Sequence, residues 1–173
     1  ELEPRGKSLL TMIPPSLYGP PEKVGGGRAD SDKPGLLLSD YGKGKLVYIP
    51  WDVGGLYYRQ SSESHAGLVS DLVDHLLPQG RQLKTNAHPQ VEITVMKQKQ
   101  RGRTLVHFIN LSGHFHTAYH APIEMRNIQV ELAEDFLTAR STRLGRDLTV
   151  ARKGRFRTFT LPSLESYDVV VLE

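Results

Sequence analysis

Hydrophobic residues follow two different patterns along the chain, and the pattern changes near residue 83. Before that point they form short runs that predict strands at Ser8–Ile13, Leu36–Ser39 and Lys45–Pro50. The first run is apolar enough to predict a buried strand. A longer segment, Ser61–Pro78, repeats apolar residues at helical spacing and therefore predicts an amphipathic helix. Its apolar positions are Leu68, Leu72, Val73, Leu76 and Leu77.

After residue 83 the chain is a succession of short apolar segments separated by turn residues. Val91, Ile93 and Val95 alternate with polar neighbours, as expected for a strand with one buried face. The predicted strands are Val91–Lys97, Thr104–Leu111, Ile128–Leu132, Leu137–Ser141, Leu148–Arg152, Phe156–Leu161 and Tyr167–Leu172. Their number and spacing predict an antiparallel β-sandwich over residues 83–173. Only the connection Ser112–Asn127 has no regular period.

The first half of the chain, residues 1–82, contains too few predicted elements to enclose a core. A pair of strands and one helix leave one side of a sheet uncovered, and a stable domain needs a further layer there. The segment before Leu9 does not supply that layer, so residues 1–82 are predicted to be part of a larger α/β domain. We expect this half to expose sheet edges and to associate, or to leave the Pro/Gly-rich loop Gly19–Lys33 poorly ordered.

Composition and charge narrow the possible classes of function. The chain has no cysteine, which excludes disulfides, a thiol nucleophile and thiolate metal ligands. No apolar run is long enough to cross a bilayer, so no membrane partner is expected. The compartment is not indicated.

The net charge of +3 is unevenly distributed, because Arg140–Arg157 carries seven basic residues against one acidic residue, Asp147. Such a cluster could neutralise the phosphates of a nucleic acid. It lacks an aromatic stacking platform, and the alternative, the solvent-exposed faces of two strands, is favoured. No nucleic-acid partner is therefore expected.

The chain's single tryptophan opens a short segment that could bind a ligand or form an interface. The candidate residues are Trp51, Asp52, Tyr57, Tyr58 and Arg59. A carboxylate beside an indole can act as an acid, but glycosidases need two facing carboxylates, and Glu63 is placed at a helix start. Capping of a turn by Asp52 is favoured. The aromatic residues could stack on sugar, although packing at a domain interface is the leading interpretation.

A group of histidines within the irregular connection has the residue types of a metal site. His114 and His116 would share a face on a strand and could chelate a metal, with His120 or an acid such as Glu124 as a third ligand. The segment has no regular period, and His107 belongs to a separate strand. A polar connection with incidental imidazoles is therefore favoured, and no cofactor is expected.

The segment "PGLLLSDYGKGKLVYIPWDVGGLYYR" resembles the domain that follows the catalytic barrel in some multidomain glycoside hydrolases, namely β-galactosidases with a trimerisation domain and fucosidase-like enzymes. The resemblance rests on Tyr41–Lys45, on Pro50–Gly54 and on a helix that ends at Leu76–Pro78. The later segments "VEITVMKQKQRGRTLVHFINLSGH" and "LPSLESYDVVVLE" are similar to the C-terminal sandwich of such enzymes.

This resemblance implies a mixed fold, in which a partial flavodoxin-like segment similar to class I glutamine amidotransferases (residues 1–82) precedes an antiparallel β-sandwich (residues 83–173). It implies a non-catalytic C-terminal region of a glycosidase, used for domain docking, oligomerisation or cleft shaping. The implied partners are an upstream barrel domain and further copies of the chain. No catalytic residue can be assigned, because the catalytic carboxylates of such enzymes lie on the barrel. The alternative function is a carbohydrate-binding β-sandwich module.

Overall fold

The structure is a computed structural model that describes residues 6–13, 19 and 31–173. The chain divides into unit 1, Glu1–Gly80, and unit 2, Arg81–Glu173. Most of the predicted loop Gly19–Lys33 lies outside the described residues. No helix in the described part of the chain is long and apolar enough to cross a membrane.

Unit 1 contains an antiparallel sheet of three described strands. Strand β1 (Lys7–Thr11) pairs with β2 (Pro34–Tyr41), which pairs with β3 (Gly44–Tyr48). The predicted hairpin between β2 and β3 is present, and Gly42 adopts the left-handed conformation, with φ of 59°, that its tight turn needs. Because all the described strands of this unit pair antiparallel, the flavodoxin-like arrangement stays a prediction.

The strand predicted at Ser8–Ile13 exists, but the prediction that it is buried is wrong. All five residues of β1 are exposed, including Leu9 at 46% and Leu10 at 43%. Strand β1 lies at the margin of the sheet and has β2 as its hydrogen-bonded neighbour, and its register shifts on either side of Leu10. Among the described strands, an apolar sequence therefore occupies an edge position.

Two helices follow the sheet of unit 1. Helix α1 (Val53–Gln60) was not predicted, because its first turn contains the glycine pair Gly54–Gly55, which disfavours helix. Helix α2 (Glu63–Leu76) lies within the predicted helical segment and contacts both α1 and β3. Neither helix contains a fully buried residue.

Unit 2 consists mainly of two antiparallel sheets, as the strand pattern predicted. Its strands are β4 (Leu83–Thr85), β5 (Val91–Gln98), β6 (Arg103–Asn110), β7 (His114–Phe115), β8 (Ala118–Tyr119), β9 (Met125–Leu132), β10 (Ala139–Ser141), β11 (Arg146–Leu148), β12 (Ala151–Lys153), β13 (Phe156–Leu164) and β14 (Tyr167–Leu172). One sheet has the order β11-β10-β14-β6-β5, the other has the order β12-β13-β9-β4, and β7 and β8 form a separate hairpin.

The core of unit 2 is made by the inward-facing residues of both sheets. Val106, Phe108, Val130, Leu161 and Val170 are completely or almost completely buried. The ring of Phe159 packs edge-on against Phe108 and Phe136, at centroid distances of 6.4 and 6.3 Å, in the geometry that aromatic pairs prefer. This packing confirms the prediction of a β-sandwich.

One predicted strand of unit 2 is wrong, and three short strands were missed. The segment predicted as Leu148–Arg152 is divided between β11 and β12, which belong to different sheets. The chain passes from one sheet to the other after the buried Leu148, so the apolar residues of this segment belong to two sheets. Strands β4, β7 and β8 are only two or three residues long, too short to show a period.

Candidate functional site

Trp51 lies at the corner between β3 and α1. Its indole Nε1 donates a hydrogen bond to the carbonyl oxygen of Gly35, at 2.8 Å. Its ring also contacts His65 of α2, with centroids 5.5 Å apart and planes inclined by 58°. The half-buried indole therefore connects β2 to α2 within unit 1. A stacking role on a ligand would have to use the part of the ring that these contacts leave free.

Asp52 caps helix α1, as its position beside the glycine pair suggested. Its Oδ1 accepts a hydrogen bond from the backbone N–H of Gly55 at 2.8 Å, and Oδ2 lies 3.5 Å from the guanidinium of Arg59. A Cβ on Gly55 would lie only 2.0 Å from Oδ2, so the cap requires glycine at this position. The carboxylate of Asp52 therefore has a structural role as the N-cap of α1, and this role explains its position.

The two tyrosines of α1 do not form a common binding surface. Tyr57 is 37% exposed and Tyr58 is 87% exposed. Successive residues on an α-helix point about 100° apart, so neighbours in sequence do not face the same way. Only Tyr58 offers a largely open ring, and a sugar could not stack on both rings at once.

One face of the unit 1 sheet is covered and the other is open. Leu36 is 3% exposed and Val47 is half-buried. The residues that alternate with them on the opposite face are much more accessible, with Leu46 at 50% and Tyr48 at 55%. Leu37 lies directly across from Tyr48 and shares that face. We call Leu37, Leu46 and Tyr48 the open face of unit 1.

The basic cluster of unit 2 is largely paired with acidic groups. Four of its seven members contact a carboxylate, in the pairs Arg140–Asp147 (2.9 Å), Arg143–Glu165 (2.5 Å), Lys153–Glu131 (2.6 Å) and Arg157–Asp135 (2.8 Å). The guanidinium of Arg155 lies over the ring of Phe156, 4.9 Å from its centroid. These surface pairs compensate most of the local positive charge, which weakens the case for phosphate binding.

A cleft of about 590 Å³ lies between β11 and the sheet that contains β9, β12 and β13. Its walls carry charges of both signs, from Glu131, Arg146, Asp147 and Lys153. Two of these side chains, Glu131 and Lys153, are already paired with each other. The aromatic residue in its lining, Phe159, is only 2% exposed. The cleft therefore offers no open aromatic ring to a ligand.

The histidine-rich connection forms the β7–β8 hairpin, and its exposed residues are aromatic. The rings of His114 and Tyr119 stack, 4.8 Å apart and inclined by 8°, while Phe115 contacts His116 edge-on at 4.5 Å. Phe115 is 68% exposed and Tyr119 is 80% exposed. Phe115 and Tyr119 both lie within the segment H-F-H-T-A-Y-H, residues 114–120. From the sequence, the histidines of this segment are candidate metal ligands, and the exposure of the two aromatic rings is not predicted.

The metal candidates do not assemble into a ligand set in the structure. Among the described residues there is no group of three potential metal ligands. The Nε2 atom of His114 lies 2.7 Å from the carbonyl oxygen of His116, so it must carry the proton of that hydrogen bond and cannot donate a lone pair. His107 lies on β6, where its Nδ1 is 2.9 Å from the hydroxyl of Tyr167.

The base of the hairpin is fixed by Asn110, the last residue of β6. Its buried side-chain amide donates to the carbonyl oxygens of Ile123 at 2.8 Å and Glu165 at 2.6 Å. Its Oδ1 accepts from the N–H of Ser112 at 3.1 Å, and the hydroxyl of Ser112 in turn accepts from the N–H of Ile123 at 2.9 Å. Both ends of the connection are therefore tied to the sandwich.

Comparison with known proteins gives a structural relationship without a family assignment. No protein-family model matches the chain, and no curated protein does so. The fold resembles part of α-L-fucosidase isoenzyme 2 from Paenibacillus thiaminolyticus, with a TM-score of 0.68 and 22% identity. The match covers 84% of this chain and 23% of the fucosidase chain.

A Paenibacillus sp. cycloisomaltooligosaccharide glucanotransferase also matches, with 21% identity over 52% of this chain and 16% of its own, at a TM-score of 0.40. At 22% identity the likeness to the fucosidase concerns the fold alone. The chain spans less than a quarter of the fucosidase, at 23%.

Proposed function

We propose that the chain is a non-catalytic region of a carbohydrate-active glycoside hydrolase, in which unit 1 docks against another domain of the same polypeptide. The sequence resemblance to the regions that follow a glycosidase barrel supports this proposal. The likeness of the fold to 23% of a fucosidase chain is in accord with it. In the finer form of the proposal, unit 1 is the last part of an amidotransferase-like, trimerisation-type domain, and an upstream barrel carries the catalytic residues.

The observation that carries the proposal is the exposed apolar surface of unit 1. In the described part of this unit, Leu36 is the one fully buried hydrophobic side chain. Twelve large hydrophobic residues are exposed there: Leu9, Leu10, Ile13, Tyr41, Leu46, Tyr48, Tyr57, Tyr58, Val69, Val73, Leu76 and Leu77. Apolar surface concentrated in one region of a protein is typical of an interaction site.

The open face is the part of this surface best suited to docking. Leu37, Leu46 and Tyr48 lie side by side on neighbouring strands, so they present a continuous, rigid apolar surface. The Trp51–Asp52 corner follows the end of β3 and carries Arg59 and Tyr58 beside it. In the whole enzyme this corner would border the docked barrel domain or a neighbouring subunit, and would shape the rim of the cleft between them.

The first test is the size of the native polypeptide in source cells, measured by immunoblot with antibodies raised against this chain. The expected result is a band several times heavier than the 19.4 kDa of these residues. A band at 19.4 kDa would contradict the proposal, because the exposed apolar surface would then have no covering domain in the same polypeptide.

The second test is the substitution Leu46→Lys on the open face, compared with Val69→Lys on α2. Both residues are exposed in this chain, at 50% and 39%, so neither change should much affect the isolated chain. In the full-length protein, Leu46→Lys is expected to cost about 1.5–3 kcal/mol, the value of a buried leucine side chain. Thermal unfolding of both proteins measures the difference, and equal effects of the two substitutions would contradict docking at this face.

A further inference from the structure

We infer that the β7–β8 hairpin of unit 2 is a binding site for neutral carbohydrate. This inference goes beyond the proposed docking role of unit 1, because it concerns another unit and assigns a ligand. It rests on three features of the hairpin, which are open aromatic rings, a fixed base and the absence of permanent charge.

Tyr119 presents one open ring face for stacking against a sugar. Tyr119 stacks on the His114 imidazole with one face, at 4.8 Å and 8°, yet the residue remains 80% exposed. Its other face is therefore open to solvent. Phe115, 68% exposed, pairs with Ala118 and therefore points to the face of the hairpin opposite Tyr119, where it offers a second, separate ring. Exposed tyrosine combines an apolar ring with a hydroxyl, which suits ligands that have both apolar faces and polar edges.

The hairpin is held in place before any ligand arrives. Asn110 ties its base to the sandwich through the carbonyl oxygens of Ile123 and Glu165, and the N–H of His120 donates to the carbonyl oxygen of Gly113 at 2.8 Å. A Cβ on Gly113 would lie 2.2 Å from the carbonyl oxygen of His120, so the close approach of the residues that flank the two strands requires glycine. A site ordered in advance loses less entropy on binding.

The composition of the hairpin favours a neutral, polyhydroxylated ligand. Residues 111–123 contain no Asp, Glu, Lys or Arg, in a chain of which 24% is charged. A nucleic acid would require cationic groups along its backbone. The imidazoles of His116 and His120 and the hydroxyl of Tyr119 instead supply hydrogen-bonding groups that suit sugar hydroxyls.

The size of the hairpin argues against a protein partner. A stable protein interface buries about 800 Å² on each partner. The two open rings, Phe115 and Tyr119, belong to a hairpin whose strands are two residues each, and they can supply only a fraction of that area. One or two sugar rings are an occupant of matching size.

The experiment is affinity electrophoresis of the 173-residue chain in gels that contain a soluble neutral polysaccharide, with galactomannan, xyloglucan and dextran used in turn. The variants are Phe115→Ala/Tyr119→Ala, the ring-preserving Tyr119→Phe, and two controls. Leu137→Ala removes an exposed side chain elsewhere in unit 2, and Tyr58→Ala removes the open ring of α1, since the two residues are 77% and 87% exposed. Thermal unfolding of each variant verifies that it is folded.

We expect at least one polysaccharide to retard the wild-type chain, and the double variant to lose about tenfold in affinity, because it removes the stacking ring on each face of the hairpin. Tyr119→Phe should retain most of the retardation, and both controls should retain all of it. Three results would overturn the inference: no retardation of the wild type, full retardation of the folded double variant, or loss in Tyr58→Ala alone. None of these results bears on the docking of unit 1, which is tested separately.

Discussion

The two units of the chain are built from similar strands but differ in how much they bury. Of the sixteen buried hydrophobic residues in the described part of the chain, fifteen belong to unit 2 and one, Leu36, belongs to unit 1. In unit 2 the inner face of each sheet is covered by the other sheet, whereas in unit 1 Leu46 and Tyr48 face solvent. The strand-forming sequences therefore give a sheet in both units. A buried core forms only where a second layer covers the apolar face of the sheet.

This difference implies that the two units depend on different sources of stability. The packing that stabilises unit 2 lies within the unit itself, around Phe108 and Phe159. Unit 1 leaves apolar area uncovered. If it docks as proposed, that area is buried and part of the stability of unit 1 comes from the docked domain. The single tryptophan, Trp51, lies in unit 1 and makes the comparison measurable, because its fluorescence reports this unit alone.

The largest effect is expected from a cavity in the core of unit 2. Phe108 is fully buried, and Phe108→Ala should lower the free energy of unfolding of unit 2 by about 3–5 kcal/mol. Urea titration is followed by Trp51 fluorescence, which reports unit 1, and in parallel by circular dichroism, to which both units contribute. The part of the dichroism change that does not coincide with the fluorescence change is the dichroism transition of unit 2. The dichroism transition should shift to lower urea concentration while the fluorescence transition stays in place.

The matched control for this substitution is Leu137→Ala, since Leu137 is 77% exposed and its truncation leaves no cavity. It should change the free energy of unfolding by less than about 0.5 kcal/mol. If Phe108→Ala shifts the Trp51 transition by as much as the dichroism transition, the units unfold as one and the comparison between them fails.

The second effect concerns a buried carboxylate that fixes a turn of unit 2. Asp168 is 1% exposed and accepts hydrogen bonds from the hydroxyl of Ser141 at 2.5 Å and from the N–H groups of Arg143 and Val169 at 3.0 and 2.7 Å. Asp168→Asn turns one acceptor oxygen into a donor that faces donors. The expected loss is about 1–3 kcal/mol, seen in the dichroism transition.

The matched control is Asp147→Asn, because Asp147 is an exposed carboxylate paired with Arg140 on the surface of the same unit. Surface pairs contribute about 0–1 kcal/mol, so this variant should unfold close to wild type. Equal losses of unfolding free energy in Asp168→Asn and Asp147→Asn would show that the buried hydrogen bonds of Asp168 contribute no more to stability than a surface ion pair does.

The sequence predicted the sandwich well because period-2 alternation reports a half-buried strand directly. Val91 to Val95 alternate in the sequence, and β5 is found there. The same reasoning failed where burial depends on distant residues. Strand β1 is apolar in sequence yet exposed, since no local signal tells whether a second layer covers a strand. At Leu148–Arg152 closely spaced apolar residues predicted one strand and gave no sign of the crossover between sheets.

The candidate site was predictable where its chemistry is local. The capping role of Asp52 follows from its position beside Gly54 and Gly55, and the structure shows the hydrogen bond at 2.8 Å. The open aromatic rings of the β7–β8 hairpin were not predicted, because the exposure of Phe115 and Tyr119 is a property of the folded connection, which Asn110 anchors through the carbonyl oxygens of Ile123 and Glu165. The sequence shows which residues are histidine or aromatic, but only the folded structure shows which of their rings are exposed to solvent.

A smaller effect is expected in unit 1 from the loss of its helix cap. Asp52→Ala removes the acceptor for the Gly55 N–H and should destabilise unit 1 by about 1 kcal/mol. The Trp51 fluorescence transition should shift, and the dichroism transition of unit 2 should not. Asp71→Ala, an exposed substitution in the middle of α2, is the control, and an equal shift in that variant would contradict the capping role.

The smallest effect, and the sharpest test of local structure in unit 1, compares two glycines in its helices. A Cβ at Gly67 of α2 would meet no atom within 4 Å, whereas a Cβ at Gly55 of α1 would lie 2.0 Å from Oδ2 of Asp52. Gly67→Ala should therefore stabilise unit 1 by about 0.5–1 kcal/mol, through the lower helix propensity of glycine. Gly55→Ala gains the same propensity but forces Asp52 out of its capping position. It should show no gain or a net loss in the Trp51 transition, and equal gains in the two variants would mean that the cap contributes nothing to the stability of unit 1.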